Sequence, residues 1–383
     1  MARRELGDVL LEVKDLNVDY LTLNGAVRAV TDASFTLRRG EILGLAGESG
    51  SGKSTLTTAL LRLQRPPAVT ASGSVIYRSA GGSATELVGR TDEELLPLRW
   101  SRMAIVMQSA MDALNPVKRL GAQFQDVLMQ HDPRMKPKEA LKRAGDLLAL
   151  SGIPRDRVDS YPHEMSGGMR QRSLISLALA CDPELVVMDE PTTAVDVVMQ
   201  RTIMSQVLRL QRELGFAIIF VTHDLSLLLE LSDRLAIMYA GKIVEIGPAD
   251  ELYRNPRHPY TTALRDSFPP LYAPLKEMRG IPGAAPDLLN LPPGCSFSPR
   301  CPRAMAACSR IEPSLVSVTE RVDAACHLND PLIVEDPRLS CESELREHPE
   351  LLEEPAWREA QAAPLGTGEK PPVLRSEREG AAR

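Results

Sequence analysis

The chain of 383 residues has no basic excess: 45 Lys and Arg stand against 51 Asp and Glu, for a formal net charge of −6. A protein whose main work is gripping a nucleic-acid backbone would show the opposite balance, so that class is set aside. Nowhere does an apolar run approach the roughly 18 residues a membrane-crossing helix needs. The richest stretches, Leu174 to Cys181 and Ala217 to Val221, are sized for a core helix or strand, and the chain is expected not to span a membrane. The opening MARRELGDVLLEVKDL mixes acids and bases where a signal peptide requires an uninterrupted apolar segment, so an unexported, cytoplasmic protein is expected. Neither a solenoid or propeller repeat nor a coiled-coil heptad run is present. Cysteine is scarce, with six in all, and in an unexported chain of this size these are not expected to pair as disulfides.

What is present is ordinary globular material, 43% apolar and 25% charged, with length for two or three domains. Val9 to Val13 alternates apolar and polar, and Glu41 to Ala46 is a short apolar run ending at glycines, so residues 9–46 read as strands. A helix is expected from Lys53 to about Leu63, a polar glycine-rich turn region through Gly82, and a strand at Met103 to Met107. Residues 117–160 carry helical spacing, for example Leu141, Ala144, Leu147 and Leu148, and read as a helical insertion. Beyond Ser173, helices alternate with strands at Leu185 to Met188, Ala217 to Val221 and Leu235 to Met238, with a helix over Val198 to Leu214, which implies a largely parallel sheet covered by helices. Seven prolines between Ser267 and Pro293 point to an extended linker, with a boundary near 265. From Cys341 the last 43 residues hold ten acids, six bases and five prolines, and a mostly disordered tail is expected.

The run Gly47, Glu48, Ser49, Gly50, Ser51, Gly52, Lys53, Ser54, Thr55 fits the P-loop pattern between an expected strand and an expected helix. Glycines let successive backbone N–H groups curl around phosphates, and the helix presents its positive end. Lys53 reaches the β and γ oxygens, and the Ser54 hydroxyl ligates Mg²⁺. The apolar strand LVVMDE, Leu185 to Glu190, supplies the complementary acids: Asp189 to hold Mg²⁺ through water, and Glu190 to accept a proton from, or orient, the water attacking the γ-phosphate.

Between these lies YPHEMSGGMRQR, Tyr161 to Arg172. With it the chain resembles the ATP-binding-cassette ATPases, an α/β P-loop (RecA-like) fold with a helical insertion. Ser166, Gly167 and Gly168, followed by Met169 and Gln171, are similar to that family's signature motif. A Ser-Gly-Gly turn opening a helix is a ready anion site, and the resemblance implies that its anion is the γ-phosphate on a second subunit's P-loop. It further implies a Q-loop role for Gln108, which would join Ser54 and Asp189 around Mg²⁺. By the same resemblance Asp196 in AVD is the D-loop acid, His223 in VTHDL the switch histidine and Tyr20 the aromatic that stacks on adenine. Over residues 8–328 the phrases MDALNP (Met111 to Pro116), HPYTTAL (His258 to Leu264) and GCSFSPRC (Gly294 to Cys301) narrow the resemblance to the oligopeptide/dipeptide importer branch, which includes nickel and some oligosaccharide importers.

The organisation this implies is a cassette over 1–265 with a helical subdomain at about 109–170, a proline-rich linker over 266–293, a cysteine-rich lobe over 294–330 and an acidic tail over 331–383. The implied function is ATP hydrolysis driving peptide import, with nickel or oligosaccharide import as alternative cargo and a non-transport cassette as the more distant rival. The implied partners are a second ATPase subunit, two integral-membrane permeases and an extracytoplasmic substrate-binding protein, with the chain peripheral at the cytoplasmic face of the inner membrane. Cys295, Cys301, Cys308 and Cys326 fall in a 32-residue window spaced C-x5-C-x6-C-x17-C, without the C-x2-C knuckles of zinc ribbons. Spacing leaves zinc, an iron–sulfur cluster and plain structural thiols open. So small a lobe has little apolar material, so a bound centre would substitute for a core. The resemblance implies a [4Fe-4S] cluster, with His327 a neighbour of the site.

Overall fold

The structure, a computed structural model, describes residues 6–23, 25–107, 113–191, 197–267 and 280–340. Two long strands, β1 (Val9–Thr22) and β2 (Gly25–Arg38), pair antiparallel. After them come β3 (Ile42–Ala46), helix α1 (Lys53–Leu60), β4 (Ala68–Arg78), β5 (Ala84–Glu86), the short α2 (Asp92–Leu95) and β6 (Met103–Val106). A helical stretch follows, with α3 (Leu120–His131), α4 (Pro137–Leu150) and α5 (Gly167–Ala178). The chain then alternates through β7 (Leu185–Asp189), α6 (Val197–Leu214), β8 (Ala217–Val221), α7 (Leu225–Leu231), β9 (Arg234–Tyr239), β10 (Lys242–Pro248), α8 (Ala249–Arg254) and α9 (Pro259–Ser267). Two short strands, β11 (Val316–Ser317) and β12 (Asp323–Ala324), come from the C-terminal segment.

The strands form a four-stranded antiparallel sheet, β2-β1-β4-β5, and an eight-stranded sheet, β11-β12-β10-β9-β3-β8-β7-β6. Strands β9, β3, β8, β7 and β6 are mutually parallel, while β10, β12 and β11 extend the sheet antiparallel. Successive residues of a strand face opposite sides. Val187 and Ile219 accordingly pack with Leu10, Val13 and Leu37 of the antiparallel sheet. Their neighbours Val186, Met188, Ile218 and Phe220 pack with Phe124, Ile175 and Ile203 of the helices. Burial on both faces is why these strands read as unbroken apolar runs.

The expected turn region before Gly82 is instead largely β4, paired with β1 from Leu11↔Tyr77 to Tyr20↔Ala68 with an irregularity between Lys14 and Val18. Its Ser and Gly content masked the alternation. Gly73, at φ 98, is where β4 crosses β1 so closely that a Cβ would overlap the Asp15 carbonyl. The stretch 268–279 and the acidic tail from Cys341 lie outside the described residues.

Candidate nucleotide site

The site lies at the carboxyl edge of the parallel strands, where open α/β sheets bind ligands. In strand order β3-β8-β7, the P-loop leaves β3, His223 follows β8 by two residues, and Asp189 ends β7. Gly47 (φ 152) and Gly52 (φ 97) make the loop possible: a Cβ would overlap the Met238 carbonyl at the first and the Ala29 carbonyl at the second. Ser49 and Gly50 are exposed, while Ser51 is buried and its carbonyl accepts from Gly241 N at 3.1 Å. Gly52 caps α1 with no side chain to bond the first-turn N–H groups, and no acid occupies that turn, so the helix end is open to an anion.

Lys53 lies on the same stripe of α1 as Leu56 and Leu60, which draws it inward to 7% exposure. Its Nζ donates to the Gly47 and Glu48 carbonyls, each at 2.8 Å, and to Ser51 Oγ at 3.3 Å. Burial lowers its pKa, and the nearby Glu190, Asp189 and Glu48 carboxylates oppose the shift. Asp189 is 5% exposed; burial raises its pKa while a hydrogen bond from Ser54 acts the other way. Among the described residues, none hydrogen-bonds one buried Asp189 carboxylate oxygen. Glu190 holds the left-handed backbone region at φ 47, uncommon for a non-glycine residue, with its N–H pinned to the Val221 carbonyl at 2.9 Å. That pin turns its carboxylate to 3.7 Å from His223 Nδ1. Tyr20, half-buried on β1, places its hydroxyl 3.2 Å from Thr55 Oγ1.

The signature residues form a separate constellation. Ser166 is exposed and caps α5, its Oγ accepting from Met169 N at 3.3 Å. Gly167 is half-buried, and Gly168 packs so tightly that a Cβ would meet the Met199 side chain. Gln171 is 2% exposed, facing inward with Ile175, and among the described residues its Nε2 has no hydrogen-bond partner. Gln108 and Asp196 lie outside the described residues.

The C-terminal segment behaves differently from expectation. Among the described residues no group of His, Cys, Asp or Glu side chains is placed to hold a metal ion, so neither the expected [4Fe-4S] cluster nor zinc stands. Burial pushes the Cys295 thiol up to about 11 and Cys326 up to about 12, and raises Cys301, with the neighbouring thiols adding to each shift. The premise of a lobe lacking apolar material also fails. The segment's β12 pairs with β10, Phe297 and Val322 join the main core, and Met305, Ala307, Cys308, Ile333 and Leu339 form a cluster of their own. His327 is 5% exposed, with Nε2 2.8 Å from the Ile311 carbonyl.

What the segment does wrap is the back of the P-loop, through residues that sequence reasoning did not single out. Arg300 pairs bidentately with Glu48, Nη1–Oε2 at 2.7 Å and Nη2–Oε1 at 2.9 Å. Tyr260 Oη accepts from Glu48 N at 2.8 Å. Phe297 is packed by Tyr239, Tyr260 and His258, with ring centroids 5.2, 5.3 and 5.9 Å away. Behind them Glu245, fully buried, accepts from the backbone of Arg257 at 2.7 Å and His258 at 3.0 Å.

A P-loop on a parallel sheet, faced by an acid pair from the strand next but one, defines a nucleoside-triphosphate-binding α/β protein. The ABC transporter family profile matches residues 30–193, and the profile of the oligopeptide/dipeptide transporter C-terminal region matches 244–308. The oligopeptide transport ATP-binding protein OppD of Escherichia coli is 44% identical over 316 residues, 81% of this chain and 90% of that one. The dipeptide transport ATP-binding protein DppD of Lactococcus lactis is 40% identical over 324 residues, 84% and 91% of the two chains. The fold matches a dimeric ATP-binding cassette solved in a post-hydrolysis state with ADP and Pi (TM-score 0.55, 24% identity, 63% of this chain and 99% of that one). It also matches CbiO1 of Clostridium perfringens (TM-score 0.54, 26% identity, 65% and 92%). The chain belongs to the ATP-binding-cassette ATPases, in their oligopeptide/dipeptide transporter branch.

Proposed function

We propose that the chain is the energy-coupling ATPase subunit of a bacterial importer of di- and oligopeptides. The observation that carries this reading is the P-loop of Gly47–Thr55 held together with Asp189, Glu190 and His223, in a chain 44% identical to an oligopeptide transport subunit. ATP sits with its phosphates in the loop and its adenine against Tyr20. Asp189, whose buried oxygen is otherwise unbonded among the described residues, would hold Mg²⁺ together with Ser54 and Gln108, and the ion would supply Lewis-acid stabilisation of the phosphate charge. Lys53 exchanges its loop carbonyls for phosphate oxygens, Glu190 orients the attacking water and takes its proton, and His223 senses the γ-phosphate.

Two such chains, identical or paralogous, meet head to tail. Ser166, Gly167, Gly168 and Met169 of one then face the nucleotide of the other, and Asp196 lies along the contact. The exposed, capped turn at Ser166 supports this arrangement. Gln171, expected with them, is buried on the inner side of α5. Two permeases carry the path across the membrane, an extracytoplasmic binding protein delivers cargo, and this subunit is peripheral at the cytoplasmic face. No helix among the described residues is long and apolar enough to cross a membrane.

The test is reconstitution with permeases and binding protein in proteoliposomes. ATP hydrolysis is expected to rise when the binding protein carries a short peptide, with uptake of that peptide. Hydrolysis indifferent to loaded binding protein would overturn the reading, and stimulation by nickel or an oligosaccharide alone would move the cargo to that class.

A further inference from the structure

Glu48 stands at the first variable position of the P-loop, and three of its groups are committed. Its N–H donates to Tyr260 Oη at 2.8 Å and its carbonyl accepts from Lys53 Nζ at 2.8 Å. Its carboxylate takes both arms of Arg300. The Arg300 side chain is only 7% exposed, and it also reaches the Pro282, Gly283 and Ile281 carbonyls at 2.7, 3.4 and 3.5 Å and Tyr239 Oη at 3.3 Å. A bidentate fork fixes the orientation as well as the position of the carboxylate it grips. The residue that anchors Lys53 through its main chain is thus anchored through its side chain by a segment 252 positions away.

We propose that Arg300 is a positioning residue for ATP binding: through Glu48 it braces the first turn of the P-loop, so that the segment after 280 sets how well the loop cradles phosphate. The inference rests on the P-loop being the ATP site. Arg300 touches no nucleotide; it acts through Glu48. Losing the brace frees the first turn of the loop, and with it the carbonyls that orient Lys53. The cost falls on ground-state phosphate binding more than on the chemical step.

The test compares full-length wild type, Arg300→Ala, Arg300→Lys, Glu48→Gln and the Glu48→Gln/Arg300→Ala double variant. Titration gives the Kd for ATP, and the reconstituted transporter gives KM and kcat. Arg300→Ala is expected to raise Kd and KM together by about tenfold while kcat stays within about threefold. Arg300→Lys, which keeps charge but not the fork, should fall between, and the double variant should be no worse than the poorer single one by more than about twofold. The inference is overturned by a folded Arg300→Ala whose Kd and KM stay within about twofold of wild type even if its Tm falls, or by single effects that simply multiply. If Arg300→Ala does not fold, Arg300→Lys and Glu48→Gln decide on the same criterion. A Kd that Lys53→Ala leaves unchanged would instead remove the P-loop as the ATP site, a different failure.

Discussion

The two constellations that make up the proposed ATP site differ in how far each is completed within one chain. On the P-loop side, Lys53 and Asp189 are buried, loop carbonyls hold the lysine, and an ion pair from the C-terminal segment holds the loop. On the signature side, Ser166 is exposed and spends its hydroxyl capping its own helix. A buried charged site needs its partners in the same fold, because an unpaired charge there costs several kcal/mol. An exposed helix N-terminus can wait for its anion at little cost. In the proposed arrangement the P-loop side binds within one chain, and the signature side completes the partner's site.

The largest effect expected within this contrast is at Glu190. Replacing it with Gln removes the proton acceptor but leaves the loop and its lysine intact. Turnover in the assembled transporter should fall by about 100-fold or more with the ATP Kd unchanged. Near-normal turnover would remove Glu190 from its role. Lys53→Ala should instead weaken both measurements, Kd and kcat each by at least about tenfold, since its charge faces the phosphates in ground and transition states alike. An effect on only one of the two would break the equivalence.

A smaller effect probes the packing behind the loop. His258 is buried and held neutral, its pKa lowered by burial to about 3 from 6.5, and its Nδ1 accepts from Tyr260 N. Below pH 6.5 the unfolded chain takes a proton that the native state refuses, so stability falls as pH falls through the window from 6.5 towards 3. Glu245, with a pKa raised by burial, acts in the opposite direction as its native state protonates first, and it is common to wild type and variant. Between pH 7 and 5, wild type should lose about 2 kcal/mol more than His258→Asn in denaturant titrations. Parallel pH profiles for the two proteins would contradict this.

How much of this could be read from residues alone depended on where each constraint came from. The P-loop was legible because its chemistry is local: strand, glycines, lysine and helix follow one another, and Gly47 and Gly52 are demanded by their own backbone angles. The acid pair was legible because it ends a run of apolar residues buried on both faces. The burial of Gln171 was legible in its helical phase with Gly168 and Ile175, which face inward with it. Strand β4 was hidden because its register comes from β1 rather than from its own composition. The cysteines misled most. Their clustering was real in sequence, yet what the segment brings to the rest of the molecule is Phe297 and Arg300, and no local pattern announces an ion pair spanning 252 residues. The only available hint was an arginine inside one recognised motif, GCSFSPRC, and a glutamate inside another, GESGSGKST.

The most direct test of the claim that one site needs two chains is Ser166→Arg, made in a Glu190→Gln background so that bound ATP persists. Sedimentation of the purified chain, with and without ATP, reports assembly, and ATP titration of the same preparation reports the P-loop. The account predicts that ATP binding at the P-loop remains measurable while the ATP-dependent dimer that Glu190→Gln alone forms is lost. An ATP-dependent dimer that survives Ser166→Arg, or full hydrolysis by a demonstrably monomeric Ser166→Arg chain with Glu190 restored, would contradict it.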